Sequence, residues 1–324
     1  MRRTLAARHD RFPLSRPFRI ARGVKTAADV VTVEIGESGV VGRGEGVPYP
    51  RYGESIESSL AAIEDARGAI EAGASRADLL TIMPAGAARN AVDCALWDLE
   101  SRLSGKAVGE PLRPVISALT IGIDTPEAMA AAVREAGGAP LLKVKVDAQD
   151  PAARIRAVRA AAPDAALIVD PNESWDQDLL ATMQDALVEA RVDLLEQPVS
   201  AADDCWLEHF ISAVPICADE AVHVAADLDR VAARYQAVNV KLDKSGGLTE
   251  ALTLARAARE RGLKLMTGCM ISSSLSIAPA FQIAMLSDFV DLDGPLWLAE
   301  DRPGGVRDES GLLHPPAAGF WGTG

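Results

Sequence analysis

The sequence predicts an α/β fold: a parallel, eight-stranded βα barrel preceded by a small α+β unit. Eight short apolar runs, at residues 118–123, 141–146, 166–169, 192–195, 216–218, 237–242, 263–267 and 289–292, recur about every 20 to 27 residues with alanine-rich helical stretches between them. No G-x-G-x-x-G follows the first run, so an open doubly wound sheet lacks its fingerprint, and even repeats favour closure. Charge separates the N-terminal unit. Residues 1–115 are nearly balanced, and the acidity behind the net charge of -13 lies beyond them.

In chain order, residues 29–35 (DVVTVEI) are rich in β-branched side chains and read as a strand. The glycines of SGVVGRGEG are expected to punctuate a turn and open an irregular stretch. Helices are expected over 55–72 and over 85–103, where Ala91, Ala95, Leu96 and Leu99 recur at helical spacing. With 48% hydrophobic residues and no apolar run near the roughly 20 that span a bilayer, the chain is expected to be soluble. Its negative charge argues against nucleic acid or an anionic membrane as partner. Cys94, Cys205, Cys217 and Cys269 form no C-x-x-C pair, so neither a disulfide framework nor a zinc site is expected and a reducing, cytoplasmic setting fits. Arg2 and Arg3 precede no apolar segment, so no cleavable secretory signal is expected.

Polar residues at the C-terminal ends of barrel strands point into the mouth where active sites form. Three successive runs end in acids: Asp170 in LIVD, Glu196 in LLEQP and Asp219 in PICADE. Converging carboxylates repel unless a cation lies between them, and hard oxygen donors without His or Cys select Mg²⁺, with Mn²⁺ as the substitute. Lysine is scarce, only seven of the 33 basic residues, yet Lys143 and Lys145 share one face of LLKVKV and Lys241 lies in NVKLDK, across the barrel. An ammonium, unlike guanidinium, can lose its proton near neutral pH, so these lysines are candidate bases. Ion pairing of the same lysines with the same acids is the alternative that spacing alone leaves open.

This pattern, K-x-K on the second barrel strand, D, E and D ending the third to fifth, and lysine on the sixth, resembles the enolase superfamily, muconate-lactonizing-like subgroup, over essentially the whole chain. FVDLDGP, with Asp291 and Asp293, is similar to the D-x-D of the dipeptide epimerases, the L-Ala-D/L-Glu epimerases above all. The resemblance implies a (β/α)7β TIM-like barrel at 116–299, an α+β capping domain at 1–115, and a C-terminal segment at 300–324 packing back on the cap. It implies a cytoplasmic, homo-oligomeric, Mg²⁺-dependent isomerase of murein peptide metabolism, inverting the Cα of the C-terminal residue of an L-Ala-Xaa dipeptide. Asp170, Glu196 and Asp219 would hold the metal, with Asn172 as a donor behind them. Lys145 would serve the (R) and Lys241 the (S) configuration, while Lys143 donates to the substrate carboxylate. Asp291 and Asp293 would take the α-ammonium, and Thr120 and Cys269 would contact substrate. Arg22, in the loop IARGVKTAA, would meet the Glu side chain, with Lys25 as competitor for that role.

The chemistry agrees with the implication. Removing a peptide Cα proton requires stabilising an enediolate and a base whose pKa is brought toward about 7 to 8. Inversion needs an amine on each side. The competing activities are N-acylamino acid racemisation, o-succinylbenzoate synthesis and cycloisomerisation, whose substrates offer no ammonium to Asp291 and Asp293; a non-catalytic barrel is the remaining alternative. His209, His223 and His314 are not placed for an acid-sugar dehydratase.

Overall fold

A computed structural model of the protein describes residues 3–20 and 23–322. The chain opens with strands β1 (Thr4–Ile20), β2 (Gly23–Glu37) and β3 (Val40–Gly46), paired antiparallel in that order. Helices α1 (Ile56–Glu71), α2 (Arg76–Ile82) and α3 (Ala87–Ser104) follow. Ser55 and Ser75 cap α1 and α2, each accepting from the backbone N–H three residues on. A short strand, β4 (Val115–Ile116), then leads to the barrel strands β5 (Leu119–Ile121), β6 (Leu141–Lys145), β7 (Ala166–Asp170), β8 (Leu194–Glu196), β9 (Ile216–Ala218), β10 (Ala237–Val240), β11 (Lys264–Gly268) and β12 (Phe289–Asp291).

All neighbouring barrel strands pair in parallel, and the bond from Ala118 N–H to Val290 C=O joins the first to the eighth. Helices α4 (Pro126–Glu135), α5 (Pro151–Ala161), α6 (Gln177–Glu189), α7 (Leu228–Val231), α8 (Leu242–Ser245), α9 (Leu248–Glu260) and α10 (Ser274–Ala284) complete the βα repeats. Two strands close the chain, β13 (Arg307–Glu309) and β14 (Leu312–His314), the latter antiparallel to β4. The eight expected barrel strands are present, each within a few residues of its apolar run. Among the described residues no helix is long and apolar enough to cross a membrane, and the four cysteines are free.

The stretch after the SGVV turn is not irregular as expected but is strand β3. Its glycines alternate so that Gly42, Gly44 and Gly46 all face α3, and a Cβ at Gly44 would lie 2.1 Å from the Ala91 carbonyl oxygen. They are small because a helix backbone lies against the strand. Glycine here marks close approach rather than a loop, which spacing alone does not distinguish.

From its other side α3 grips the barrel. The Arg89 guanidinium donates to the Ser245 and Gly246 carbonyls at 2.7 and 2.9 Å, Asn90 Nδ2 donates to Asp243 Oδ1 at 2.8 Å, and Asp93 accepts from Thr249 N and Oγ1 at 3.0 and 2.6 Å. Cap and barrel are therefore tied by satisfied buried polar groups at the segment that follows β10. The C-terminal segment adds a second tie. Arg302 Nη2 donates to Glu45 Oε2 at 2.8 Å and Asp10 Oδ2 at 3.0 Å, and Trp321 Nε1 donates to the Arg43 carbonyl at 3.1 Å.

Two outcomes are expected. Gly44→Ala should destabilise the protein by about 1–3 kcal/mol or more, because the new methyl meets backbone rather than a movable side chain, read as a fall in unfolding midpoint. Burial raises the Asp93 carboxyl to about 6 despite its bonds from Thr249. Since the folded pKa is above the unfolded one, the native state binds the proton more tightly and stability is lost as pH rises from about 4 to about 6. Relative to Asp93→Asn, the wild type should lose on the order of 2–3 kcal/mol across that window by urea unfolding; a constant difference between the two would disprove the assignment.

Candidate active site

The site follows from the period of two along each barrel strand. Ala118, Leu141, Ile168, Leu194, Cys217, Ala237 and Met266 point inward and plug the barrel floor as one apolar cluster. Two residues further on, the same faces present Thr120, Lys143, Asp170, Glu196, Asp219, Asn239 and Gly268. The alternation that buries the floor thus delivers the polar layer above it. Lys145, Lys241 and Asp293 occupy the next steps. β6 and β10 are four positions apart in the eight-stranded sheet, so Lys145 and Lys241 project from opposite walls.

Lys143 Nζ lies among three acids, 2.7 Å from Glu196 Oε2, 2.8 Å from Asp291 Oδ2 and 3.1 Å from Asp170 Oδ2. Lys145 Nζ is 2.5 Å from Asp170 Oδ2 and 3.1 Å from Asn172 Oδ1. Lys241 Nζ is 2.7 Å from Asp219 Oδ2. All of these groups are buried. Asn172 is left-handed at φ 49°, so that its own N–H folds back on Asp170 Oδ1 at 2.8 Å while its side chain reaches Lys145. The expected acids and lysines therefore meet in one cluster, as ion pairs.

The charges are uneven. Burial and the adjacent Asp170 raise the Glu196 carboxyl to about 7, whereas Lys145 and Lys143 overcome burial to hold Asp170 down at about 2. Glu196 Oε2 is within charge-pairing distance of Lys143 yet accepts no hydrogen bond. A base brought toward about 7 to 8 was expected with a metal ion beside it. Burial does push Lys241 that way, but the Asp219 carboxylate outweighs it and holds the ammonium above its usual range. Lys143 is likewise held well above, by Asp291, Glu196 and Asp170 against burial. The cause is simple: the carboxylates facing Lys241 and Lys143 stabilise their positive charge.

Among the described residues no three His, Cys, Asp or Glu side chains stand ready as a cation cage, because Lys143 occupies the space between the acids. The donor set nevertheless fits a hard divalent cation. It consists of buried carboxylates without sulfur or imidazole, one of them raised to about 7 and carrying an oxygen that no donor satisfies.

At the rim, Asp293 Oδ2 accepts from Thr120 N–H at 2.8 Å and Trp297 Nε1 at 3.3 Å, and burial beside Asp291 raises its carboxyl to about 6. Asp291 sits deeper than a rim residue, with Oδ2 on Lys143 and a buried Oδ1 that accepts no hydrogen bond. Cys269 lines the same cleft, its thiol raised by burial, together with Tyr49 and Tyr52 from the cap. Lys25 also lines it, with Nζ 4.9 Å from the centre of the Tyr49 ring. Arg22 lies outside the described residues.

Two supporting residues were not anticipated. Asn239 Nδ2 donates to Glu196 Oε1 at 2.8 Å, and its position two residues before Lys241 on an inward face was the available signal. Gly268 makes room for both, since a Cβ there would be 2.6 Å from Asn239 Oδ1 and 2.9 Å from Lys241 Cε.

Comparison with known proteins places the chain. Residues 2–112 match the mandelate racemase / muconate lactonizing enzyme N-terminal domain, and residues 126–320 match the enolase C-terminal domain-like family. The L-Ala-D/L-Glu epimerase of Escherichia coli (strain K12) is 47% identical over 319 residues, 96% of this chain and 99% of that protein. An N-acetyl-D-glutamate racemase from Pseudoalteromonas sp. is 42% identical over 299 residues, 90% and 95% of the two chains. Among solved structures, an enolase family member from Agrobacterium tumefaciens with homology to dipeptide epimerases, holding sodium and L-Ala-L-Glu, superposes with a TM-score of 0.96 at 47% identity, covering 99% of this chain and 100% of that one. The dipeptide epimerase from Enterococcus faecalis V583, complexed with Mg and L-Leu-L-Tyr, gives 0.89 at 30% identity over 98% of both chains. With both domains matched and a lysine on each wall of one carboxylate cluster, the chain belongs to the enolase superfamily, in its mandelate racemase and muconate lactonizing enzyme family.

Proposed function

We propose that the protein is a Mg²⁺-dependent dipeptide epimerase that inverts the Cα of the C-terminal residue of L-Ala-D/L-Glu or a related L-Ala-Xaa dipeptide. The observation that carries this reading is the pair of buried amines, Lys145 and Lys241, on opposite walls of the cluster that would hold the substrate carboxylate. A single base would exchange the Cα proton without inverting the centre. In this reading Lys145 takes the proton from the (R) substrate and Lys241 returns one to the other face; the (S) substrate reverses the roles.

Asp170, Glu196 and Asp219 would hold the metal, which when bound supplies positive charge to the carboxylate next to the carbanionic centre and offsets the acids that favour the charged forms of Lys143 and Lys241. Lys143 would donate to the same substrate carboxylate, and Asn172 orients Lys145 through its 3.1 Å bond. Asp293, fixed by Thr120 and Trp297, and Asp291, with its unbonded Oδ1, offer negative charge to the α-ammonium of the N-terminal residue. Cys269 and the backbone of Thr120 would contact the peptide, and Arg22 or Lys25 would meet an acidic side chain. The cap, 1–115, would close the mouth with Tyr49 and Tyr52, the barrel, 116–299, would carry the chemistry, and 300–324 would brace the two. The four free cysteines suit a reducing, cytoplasmic setting; in this reading the enzyme acts on murein-derived peptides and assembles as a homo-oligomer, as its resemblance to the L-Ala-D/L-Glu epimerases implies. N-acylamino acid racemisation is less well supported, because an acylated amine brings no positive charge to Asp293 and to the unbonded Oδ1 of Asp291.

Incubation with L-Ala-L-Glu and Mg²⁺ in D₂O should incorporate deuterium at the C-terminal Cα with a change of optical rotation, and EDTA should abolish both. No exchange in any L-Ala-L-Xaa dipeptide rejects the proposal, and exchange in N-acetylglutamate alone selects the racemase instead. Lys241→Arg, which preserves charge but cannot act as a base, should lower the epimerisation rate by about 10²–10⁴ with the fold intact by circular dichroism. Wild-type rates from that variant would show that Lys241 abstracts no proton.

A further inference from the structure

One buried cation in the cluster belongs to none of the roles above. Lys244, on α8 three residues after Lys241, is buried, and its Nζ donates to Asp219 Oδ1 at 2.6 Å, to the Asp219 carbonyl at 2.5 Å and to the Asn239 carbonyl at 2.9 Å. An ammonium has three N–H groups, and these three acceptors use all of them. Lys244 thus has no proton left to point at a substrate, and two backbone carbonyls hold it where it is.

Asp219 is held from its other side as well. Gln197, which directly follows Glu196, accepts from Asp219 N–H at 2.9 Å and Ala221 N–H at 3.1 Å through Oε1. Its Nε2 donates to the Val199 carbonyl and the Tyr235 hydroxyl, both at 2.9 Å, and that hydroxyl donates to Asp204 at 2.7 Å. The Asp219 N–H, C=O and Oδ1 are therefore all engaged by residues outside the reacting set. Only Oδ2 turns to the mouth, where it meets Lys241.

We propose that Lys244 is a positioning residue that makes Asp219 a one-oxygen ligand and thereby sets the site for a small octahedral cation, Mg²⁺, against a larger one, Ca²⁺. Mg²⁺ needs compact octahedral coordination, whereas Ca²⁺ takes six to eight oxygens and readily accepts both oxygens of a carboxylate. With Oδ1 held by an ammonium, bidentate binding by Asp219 would require breaking a charged, buried hydrogen bond and would leave that ammonium underpaired. The argument rests on Asp170, Glu196 and Asp219 being the cation ligands but is independent of the substrate.

Calorimetric titration of the substrate-free protein with Mg²⁺ and with Ca²⁺ tests it. Replacing Lys244 by Met frees Asp219 Oδ1, and the ratio of Ca²⁺ to Mg²⁺ affinity should rise by about tenfold or more. A purely structural lysine would change both affinities together, so an unchanged ratio overturns the proposal. A crystal structure of the wild type with Mg²⁺ tests it without a variant. One Asp219 oxygen on the metal and the other on Lys244 supports it; both on the metal refutes it, even if Lys244→Met fails to fold. Wild-type protein that binds neither cation would instead reject the ligand assignment itself, and the inference with it.

Discussion

Everything in the mouth of this barrel depends on balancing charge without water. Asp170, Glu196, Asp219 and Asp291 are buried together with Lys143, Lys145, Lys241 and Lys244. Any one of these ions alone would be prohibitively costly, and removing one leaves its neighbours uncompensated. The balance is incomplete in an informative way: Glu196 is pushed to about 7 while Asp170 is held near 2. Adjacent acids with such different proton affinities mark a place where more positive charge is wanted than the lysines deliver. Such a cluster suits a divalent cation, and beside its carboxylates Lys143 and Lys241 favour their charged forms.

The rest of the fold serves to keep these groups at fixed distances. The apolar floor places each polar residue two steps above a packed neighbour, and the cap ties itself by Arg89, Asn90 and Asp93 to the segment immediately after Lys241. Close packing of α3 on the three glycines of β3 brings that helix near enough to make the connection. A change at the cap can therefore reach Lys241 on the far wall through rigid, hydrogen-bonded backbone. The Gln197, Tyr235 and Asp204 chain does the same for Asp219 from the opposite direction.

Much of this was legible in the sequence, for a physical reason. Strand periodicity is exact at two residues and barrel repeats are even, so D, E and D one repeat apart must come to neighbouring strand ends, and K-x-K must share a face. The barrel strands, β2 and the helices α1 and α3 were readable from apolar runs, β-branched composition and helical spacing, whereas β1, β4, β13 and β14 were not located. Strand β3 was not, because glycine reads as a turn unless the helix that crowds it is known. Asn239, Gln197 and Lys244 were equally hidden as supports: an amide or an amine reveals its partner only when the partner's position is given.

By itself, then, the sequence determined the alternation that sorts each strand into floor and mouth, the order of acids and lysines around the barrel, and hence the chemistry the cluster can do. Those properties are local, set by residue type and a period of two. Tertiary structure alone decided which oxygen of each carboxylate faces which amine, that Asp291 sits with Lys143 below the rim, and that Lys244 is locked onto Asp219. These depend on the distance between side chains from different strands, and no period along the chain encodes it.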